Sequence, residues 1–320
     1  MSNKIQQSQI NEVLYEIHRD ISAPLRAKRL ASIASYSEQH FHRVFKKIVG
    51  ETVNVYIRRI RLEHAANQLM FGQQGSVLTV AEKCGFISLS SFNKAFKKQF
   101  SLTPGEWRQV GCKQSGSPYL ADPEIKAGYH RIASCKLPEP EIVNLADSHV
   151  AYVRHQGYGR SIRAAWLLLT SWATEQSIVF EANKPLQEKG KLLKDNNLLN
   201  KKIVLNKQIV GQQIGLHHSN PAWVELSQCR YVACVTIDKP LTQRGAVNQL
   251  TIPGGLHAAF KFTGQYGELL PWISRVLDVW LPNSGYKLQT TPAFVHYRKN
   301  QFLSEDDLFD VTVFLPLSVM

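Results

Sequence analysis

The first third of the chain has apolar positions at helical spacing, which predicts short amphipathic helices. Over residues 37–50 the apolar side chains recur at i, i+3, i+4 and i+7 and so share one face: Phe41, Val44, Phe45 and Ile48. The opposite face is polar and cationic: Gln39, His42, Arg43 and Lys46. Ser37 is placed to cap the helix at its amino end, and Gly50 at its carboxyl end. A cationic face opposite an aromatic one suits the major groove of DNA, although a solvated surface helix has the same pattern.

The same pattern returns 51 residues later. The segment F-H-R-V-F-K-K at 41–47 overlays F-N-K-A-F-K-K at 92–98, and Tyr56 overlays Trp107. A longer helix is predicted between them, over 53–71. Shorter helices are predicted over 5–20, 25–33, 77–84 and 90–100. Two helix-turn-helix units joined by one rigid helix explain this repeat, and their recognition helices can enter successive major-groove segments roughly 34 Å apart.

Positive charge is concentrated in the same region. The chain has 320 residues and a formal net charge of +13, and residues 1–112 carry 16 Lys and Arg against 8 Asp and Glu. The remainder is near neutral apart from a lysine-rich segment, 184–207, which we interpret as an exposed loop. An auxiliary contact of that segment with the DNA backbone is the alternative. Localised positive charge is typical of nucleic-acid binding, although a generic basic surface looks the same.

Cysteine usage and hydropathy exclude several classes of protein. The five cysteines form no C-x-x-C pair and fit free thiols in a reducing compartment. Cys229 and Cys234 with His217 and His218 match no common ligand spacing, so we expect neither a metal site nor a cofactor. The polar amino terminus and the absence of an apolar run of ~20 residues predict a cytoplasmic, soluble protein without a membrane span.

From Ile125 the pattern changes to alternating strands and amphipathic helices. Residues 151–159 resemble 258–267 at an offset of 108, and each copy predicts a strand, a Gly-Tyr-Gly turn and a helix carrying tryptophan. Residues 111–124, rich in Gly, Ser and Pro, are the predicted linker. The predicted fold class is therefore multidomain: an all-α double helix-turn-helix domain over 1–110, then an α+β domain over 125–320. In the second domain two pseudo-symmetric strand-helix-strand repeats would form a ligand cleft.

The helical region resembles the DNA-binding domain of the AraC/XylS family of transcription regulators. The resemblance covers 25–109 and rests on Y-S-x-x-x-F-x-R-x-F-K-K-x-x-G, Y-I-R-x-x-R-L-x-x-A, V-A-x-x-C-G-F, S-F-x-x-A-F-K-K and T-P-G-E-W-R. It implies base-reading positions on the outward faces of the recognition helices: Gln39, His42, Arg43, Ser90, Asn93 and Lys94. The expected phosphate contacts are Lys46, Lys47, Lys97 and Lys98. A phosphate contact explains His42 as well as a base contact does.

Residues 150–320 resemble the GyrI-like effector-binding domain. The matching motifs are H-x-G-Y, N-P-A-W, R-Y-V-A-C-V, I-P-G-G-L-H-A-A-F, W-L-P-N-S-G-Y and F-L-P-L, in family order. The expected pocket walls are aromatic: Tyr158, Trp166, Trp223, Tyr266, Trp272 and Tyr297. Plain core is the alternative for these side chains. His217 and His218 are candidate pocket donors, or alternatively solvated loop residues.

Two departures from that resemblance bear on the ligand. Relatives that bind cationic drugs or hydrolyse small molecules imply buried carboxylates at positions that are Thr312 and Val295 here. Without a buried carboxylate, a cation pocket and a hydrolase are both disfavoured. Asp310 faces the same side of its strand as Thr312 and could substitute, although a solvated Asp is the commoner outcome. Both residues are therefore candidate effector contacts.

These observations predict a one-component transcription regulator without catalytic residues. Its expected partners are double-stranded promoter DNA, a small-molecule effector and, since the resemblance implies activation, RNA polymerase. One alternative is a ligand-sequestering or hydrolytic protein with secondary DNA binding. Another is an effector-independent nucleoid-type binder whose C-terminal domain has become structural.

Overall fold

The computed structural model describes residues 2–71, 75–110, 118–180, 209–241, 245–289 and 291–319. The lysine-rich segment 184–207 and Cys112 lie outside these ranges. Within them, each helix is too short or too polar to cross a membrane. The chain forms a helical N-terminal domain and a C-terminal domain built on one large antiparallel sheet, and so the predicted fold class is confirmed.

Most of the N-terminal helices follow the predicted pattern closely, whereas α7 is not among the predicted helices. They are α1 (Ser2–Arg19), α2 (Ala27–Ile33), α3 (Glu38–Val49), α4 (Val53–Phe71), α5 (Val77–Lys83), α6 (Leu89–Phe100) and α7 (Pro104–Val110). Helix α6 begins one residue before its predicted start, because the Ser88 side chain accepts a hydrogen bond from the Ser91 N–H and caps the helix.

The two helix-turn-helix units bury equivalent aromatic clusters. In the first unit the buried rings are Phe41, Phe45 and Tyr56, with successive centroids 5.5 and 5.7 Å apart. In the second they are Phe92, Phe96 and Trp107, at 5.4 and 5.8 Å. These pairs are the ones that the 51-residue repeat places in register. Each recognition helix is thus held by the same packing, which leaves its opposite face free.

Arg61 on α4 ties the two units together. Its Nε donates to the Ile21 carbonyl at 2.8 Å and its Nη2 to the Ala23 carbonyl at 2.8 Å, both in the turn between α1 and α2. Its Nη1 donates to the Gly85 carbonyl at 2.9 Å, in the turn between α5 and α6. A Cβ added at Gly85 would meet the guanidinium at 2.7 Å, so the fit is close. One side chain therefore sets the orientation of one unit relative to the other.

The C-terminal domain begins with α8 (Pro123–Ile132) and continues into the sheet. Its strands are β1 (Glu141–Leu145), β2 (Ser148–Gln156), β3 (Ile178–Phe180), β4 (Ile209–Gly211), β5 (Gln213–His217), β6 (Arg230–Thr236), β7 (Asn248–Ile252), β8 (Gly255–Gln265), β9 (Tyr286–Leu288), β10 (Ala293–Lys299) and β11 (Leu308–Val319). The two further helices are α9 (Ile162–Glu175) and α10 (Leu269–Arg275). The main sheet runs β1-β8-β11-β10-β5-β6-β2-β7, with β9 paired to β11, and β3 and β4 form a separate parallel pair.

The sheet is pseudo-symmetric about the antiparallel pair β10 and β5 at its centre. The two strands of the 108-residue repeat, β2 and β8, each lie second from an edge. Each is followed by a helix, and α9 and α10 pack into one core on the same face. The predicted cleft between two strand-helix repeats thus corresponds to the space over β5 and β10.

Described elements of the C-terminal domain fall inside the stretch predicted as a linker. Residues Pro118–Ala121 form a 3-10 turn, and the Asp122 side chain caps α8. Tyr119 is buried in the C-terminal core, where its hydroxyl donates to Ser274 Oγ at 3.2 Å. The predicted linker 111–124 therefore includes residues of the C-terminal domain, because Pro118 opens a tight turn and Asp122 caps a helix.

Candidate DNA-binding face and interdomain cavity

Both recognition helices present their predicted DNA-reading side chains to solvent. Five of these residues are exposed: Gln39, Arg43, Ser90, Asn93 and Lys94. The His42 side chain is 38% exposed and lies 4.0 Å from the Glu38 carboxylate. The predicted phosphate anchors are exposed in the last turns of α3 and α6: Lys46, Lys47, Lys97 and Lys98. Their individual contacts with bases or phosphates stay predictions.

The ends of α3 and α6 are fixed by local hydrogen bonds. The Ser37 side chain accepts from the His40 N–H at 3.3 Å, as its position predicts. At the carboxyl ends, Gly50 has φ +88° and Ser101 has φ +61°, both in the left-handed region. Gly50 adopts this conformation without the steric cost that a side chain brings to Ser101. The polar face of each helix therefore has a defined start and end.

A cavity of about 120 Å³ lies between the two domains. Helix α4 provides one wall through His64, Asn67, Gln68 and Phe71. The segment 217–223, which begins at the last residue of β5, provides a second wall, and α10 a third. The lining residues on β10 and β11 are aliphatic: Ala293, Val295, Val313 and Leu315. The cavity thus lies on the α9/α10 side of the sheet but is completed by the DNA-binding domain.

Of the eight residues predicted to bind an effector, Trp223 lines this cavity. Tyr158 lies behind the wall, since its hydroxyl is 3.0 Å from Nδ1 of the lining residue His217. Trp166 and Tyr297 are buried in the core, where both bond to the Tyr231 hydroxyl at 3.2 Å. Trp166 and Tyr297 therefore match the alternative that they are ordinary core residues.

Tyr266 and Trp272 also lie away from the cavity. The Arg160 guanidinium lies 4.2 Å from the centroid of the Tyr266 ring. Trp272 stacks on Phe262 with centroids 5.0 Å apart. Both rings are buried in the C-terminal core, so packing accounts for them without an effector.

Thr312 and Asp310 lie on the sheet face opposite the cavity. Arg298 occupies that face, donating to Thr312 Oγ1 at 2.8 Å and pairing with the Asp310 carboxylate. The neighbouring Val313 points the other way and lines the cavity, as does Leu315. The structure therefore corrects the expected placement of these two candidates, because a shift of one residue along a strand exchanges the faces. Val295 does line the cavity, as an aliphatic side chain.

The polar groups around the cavity are uncharged imidazoles, amides, hydroxyls and an indole, with one carboxylate, Asp278, among the described lining residues. Burial lowers the pKa of His64 and of His217 to about 4, so both rings are neutral at pH 7. Asp278 accepts a hydrogen bond from Ser274 Oγ at 3.2 Å. Among the described residues, His217 Nε2 and Trp223 Nε1 are buried without a hydrogen-bond partner. A bound molecule could satisfy these nitrogens.

Polar contacts join the domains beside the cavity. The buried Glu63 carboxylate on α4 bonds to Ser219 Oγ at 3.1 Å and to Arg59 at 2.6 Å. Burial raises the pKa of Glu63, and the Arg59 charge opposes this shift. Next to this contact, the Asn220 amide donates to Asn67 Oδ1 at 3.2 Å. The carboxyl-terminal half of α4 is thereby bonded to the wall of the cavity.

Trp223 connects the cavity to the second helix-turn-helix unit. Its ring lies 5.8 Å from Phe71 and, edge to face, 5.6 Å from Trp107. Trp107 belongs to the aromatic cluster behind α6 and donates from Nε1 to the Ala66 carbonyl at 3.2 Å. Trp223 therefore contacts both the cavity and the core that supports a recognition helix.

Helix α1 docks on the other face of the sheet. Ser8 donates to Asn248 Oδ1 at 3.1 Å, and the Tyr152 hydroxyl donates to the Asn11 carbonyl at 3.4 Å. The His18 ring lies 4.4 Å from that of His218. The helical domain thus contacts the C-terminal domain on both faces of the sheet.

Sequence reasoning missed this interface, although α4 carries a signal for it. Residues 64, 67, 68 and 71 recur at i, i+3, i+4 and i+7, beside the apolar stripe that packs inside the helical domain. Their types are His, Asn, Gln and Phe, a mixture that is also common on solvated faces. Whether this face of α4 is solvated or packed against another domain becomes evident only from the position of the C-terminal domain.

Comparisons with known proteins match both halves of the chain. Residues 30–110 match the helix-turn-helix domain family, and residues 138–318 match the GyrI-like small molecule binding domain family. The chain is 31% identical over 153 residues to the transcriptional regulator Rob of Salmonella typhimurium, covering 48% of this chain and 50% of the relative. It is 30% identical over 153 residues, with the same coverage, to the right origin-binding protein of Escherichia coli K12.

A third relative matches a shorter stretch. The RCS-specific HTH-type transcriptional activator RclR of Escherichia coli K12 is 40% identical over 80 residues, covering 25% of this chain and 28% of the relative. The alignments with the first two relatives span about half the length of each. Both resemblances inferred from the motifs are thereby confirmed.

Proposed function

This chain belongs to the GyrI-like small molecule binding family and carries a helix-turn-helix domain ahead of that module, and from this we propose that it is a transcription regulator. Its N-terminal domain reads a promoter site and its C-terminal domain binds a small-molecule effector. The observation that carries the proposal is the pair of recognition helices, α3 and α6, held in one orientation by Arg61. Two fixed helices suit successive major-groove segments without dimerisation.

The composition of the cavity favours ligand binding over hydrolysis. Its lining residues on the central strands β10 and β11 are aliphatic, including Val295, Val313 and Leu315, and supply neither a base nor a nucleophile. The relatives are named as regulators and as an origin-binding protein, which also supports a regulatory role. We include in the proposal a cytoplasmic location, where the promoter lies, and activation through RNA polymerase.

Selection of bound fragments from genomic DNA by the full-length chain tests this function. We expect enrichment of a short operator that binds at least about 10³-fold more tightly than unrelated DNA, with strong salt dependence. A matched control is Lys261→Ala, which removes an exposed charge from β8 and should leave operator binding unchanged. Equal binding to all sequences would argue instead for the nucleoid-type alternative, and an absence of DNA binding for the sequestering or enzymatic one.

A further inference from the structure

The cavity between α4 and the sheet is lined by residues of both domains. We propose that a compact, uncharged, ring-sized molecule binds there and contacts α4 directly, so that the effector acts on the helix that joins the two helix-turn-helix units. This inference rests on the proposed function and deepens it in two respects, the class of the ligand and the path of regulation.

The size of the cavity sets the scale of the ligand. Its volume is about 120 Å³. An apolar cavity of about 150 Å³ accepts benzene, so a molecule of one ring with a small substituent fits this space. Val295, Val313 and Leu315 supply an apolar surface for the ring.

The polar atoms indicate an uncharged molecule that carries a hydrogen-bonding group. Trp223 Nε1 is a donor, and His217 Nε2 bonds as donor or acceptor according to its tautomer. Both nitrogens are buried and have no partner among the described residues. Both also belong to residues that line the cavity. A hydroxyl or carbonyl on the ligand would satisfy at least one of them, which removes the cost of leaving it unpaired.

A charged ligand is a poorer match. A cation would find one carboxylate, Asp278, which is itself exposed to solvent and therefore offers a hydrated, weak partner rather than a buried one. An anion would approach the same carboxylate and the neutral rings of His64 and His217. Moving a charge from water to this surface costs free energy without a paired group to offset it.

The coupling path follows from contacts already present. Asn67 and Phe71 line the cavity, and each touches the segment 217–223 through Asn220 or Trp223. Trp223 also packs against Trp107 behind α6. A ligand that binds one arrangement of this interface better than another shifts the population of arrangements by its difference in affinity. Linkage then requires operator DNA to change the affinity for the ligand by the same factor.

Ligand-observed NMR on the full-length chain tests the site with three ring probes of similar size: phenol, benzoate and phenyltrimethylammonium. We expect phenol to bind with a dissociation constant on the order of 1 mM, and the two charged probes at least about tenfold more weakly. Gln68→Trp places a large ring in the cavity from the α4 side and should weaken phenol binding at least about tenfold. Val55→Trp puts the same ring on the exposed face of the same helix and should leave phenol binding unchanged.

A second variant fills the cavity from the opposite wall. Ala293→Phe on β10 should also weaken phenol binding, so a folding defect in one variant does not decide the result. The proposal is overturned if phenol does not bind, if either charged probe binds more tightly, or if both filling variants bind phenol as the wild type does. Operator binding is measured on the same samples. Retained operator binding with any of these outcomes refutes the shared site alone, whereas loss of sequence preference in the wild type refutes the regulator itself.

Discussion

Replacing Arg61 should uncouple the two helix-turn-helix units. Its guanidinium donates three hydrogen bonds of 2.8–2.9 Å, two to the α1–α2 turn and one to the turn ahead of α6. Lysine keeps the charge, but one ammonium cannot span carbonyls that a planar fork reaches on two sides. Arg61→Lys is therefore a sharper test than Arg61→Ala, because it preserves charge and most of the side-chain volume.

The expected loss of stability can be worked from these contacts. Three hydrogen bonds at about 1 kcal/mol each give about 3 kcal/mol for Arg61→Ala, and about 2 kcal/mol for Arg61→Lys if one bond survives. The effect on DNA should be selective. Without the brace, the second recognition helix no longer has a preset position after the first binds, so its effective concentration at its own segment falls.

Denaturant unfolding and mobility shifts measure the two effects separately. For Arg61→Lys we expect at least about tenfold weaker binding to an operator with both half-sites, and little change on a fragment with one half-site. The stability control is Arg58→Ala, which removes an exposed arginine from the same helix. Its free energy of unfolding should stay within about 0.5 kcal/mol of that of the wild type. Unchanged stability and unchanged two-site affinity in Arg61→Lys would refute the bracing role.

Four further substitutions probe DNA reading and the interface. Arg43→Ala should reduce the free energy of operator binding by roughly 1–3 kcal/mol and relax the base preference at one position. Lys46→Ala should instead weaken binding to all sequences alike and lower the slope of log affinity against log salt by about 1. Mobility shifts on single-base operator variants distinguish the two, and uniform weakening by Arg43→Ala would make Arg43 a phosphate contact. His64 has a pKa of about 4 when folded and an ordinary one near 6.5 when unfolded, so the unfolded state binds more protons between these values and stability falls as pH drops through them. His64→Gln should reduce that slope by up to about 1.4 kcal/mol per pH unit in chemical unfolding, and an unchanged slope would count against its burial. Ser219→Ala should lower the free energy of unfolding by about 1–3 kcal/mol, because the buried Glu63 carboxylate then has one hydrogen bond fewer. An unchanged free energy in denaturant unfolding would show that this contact does not stabilise the interface.

The sequence predicted the helical domain well because its signals are local. The 51-residue repeat paired Phe41 with Phe92 and Tyr56 with Trp107, and these rings do occupy equivalent places in the two cores. Helical periodicity and serine caps depend on a few neighbouring residues, so a single chain displays them. The strand-helix repeat of the C-terminal domain was predictable for the same reason.

The cavity was harder to predict because it depends on register and on docking. The resemblance implies that Thr312 faces the ligand, yet Val313 is the residue that faces the cavity. A count that is one residue off reverses the face of a strand. The α4 wall depends on how two domains pack, and polar residues such as Asn67 and Gln68 look the same on a solvated helix.

Selection of operator sequences by the full-length chain, followed by affinity measurements at several salt concentrations, is the most direct test of a two-helix DNA reader. We predict one enriched site with two half-sites about one helical turn, or 10–10.5 base pairs, apart, and a loss of affinity when that spacing is changed by five base pairs. Equal affinity for all sequences and for all half-site spacings would contradict the claim that two recognition helices read the DNA.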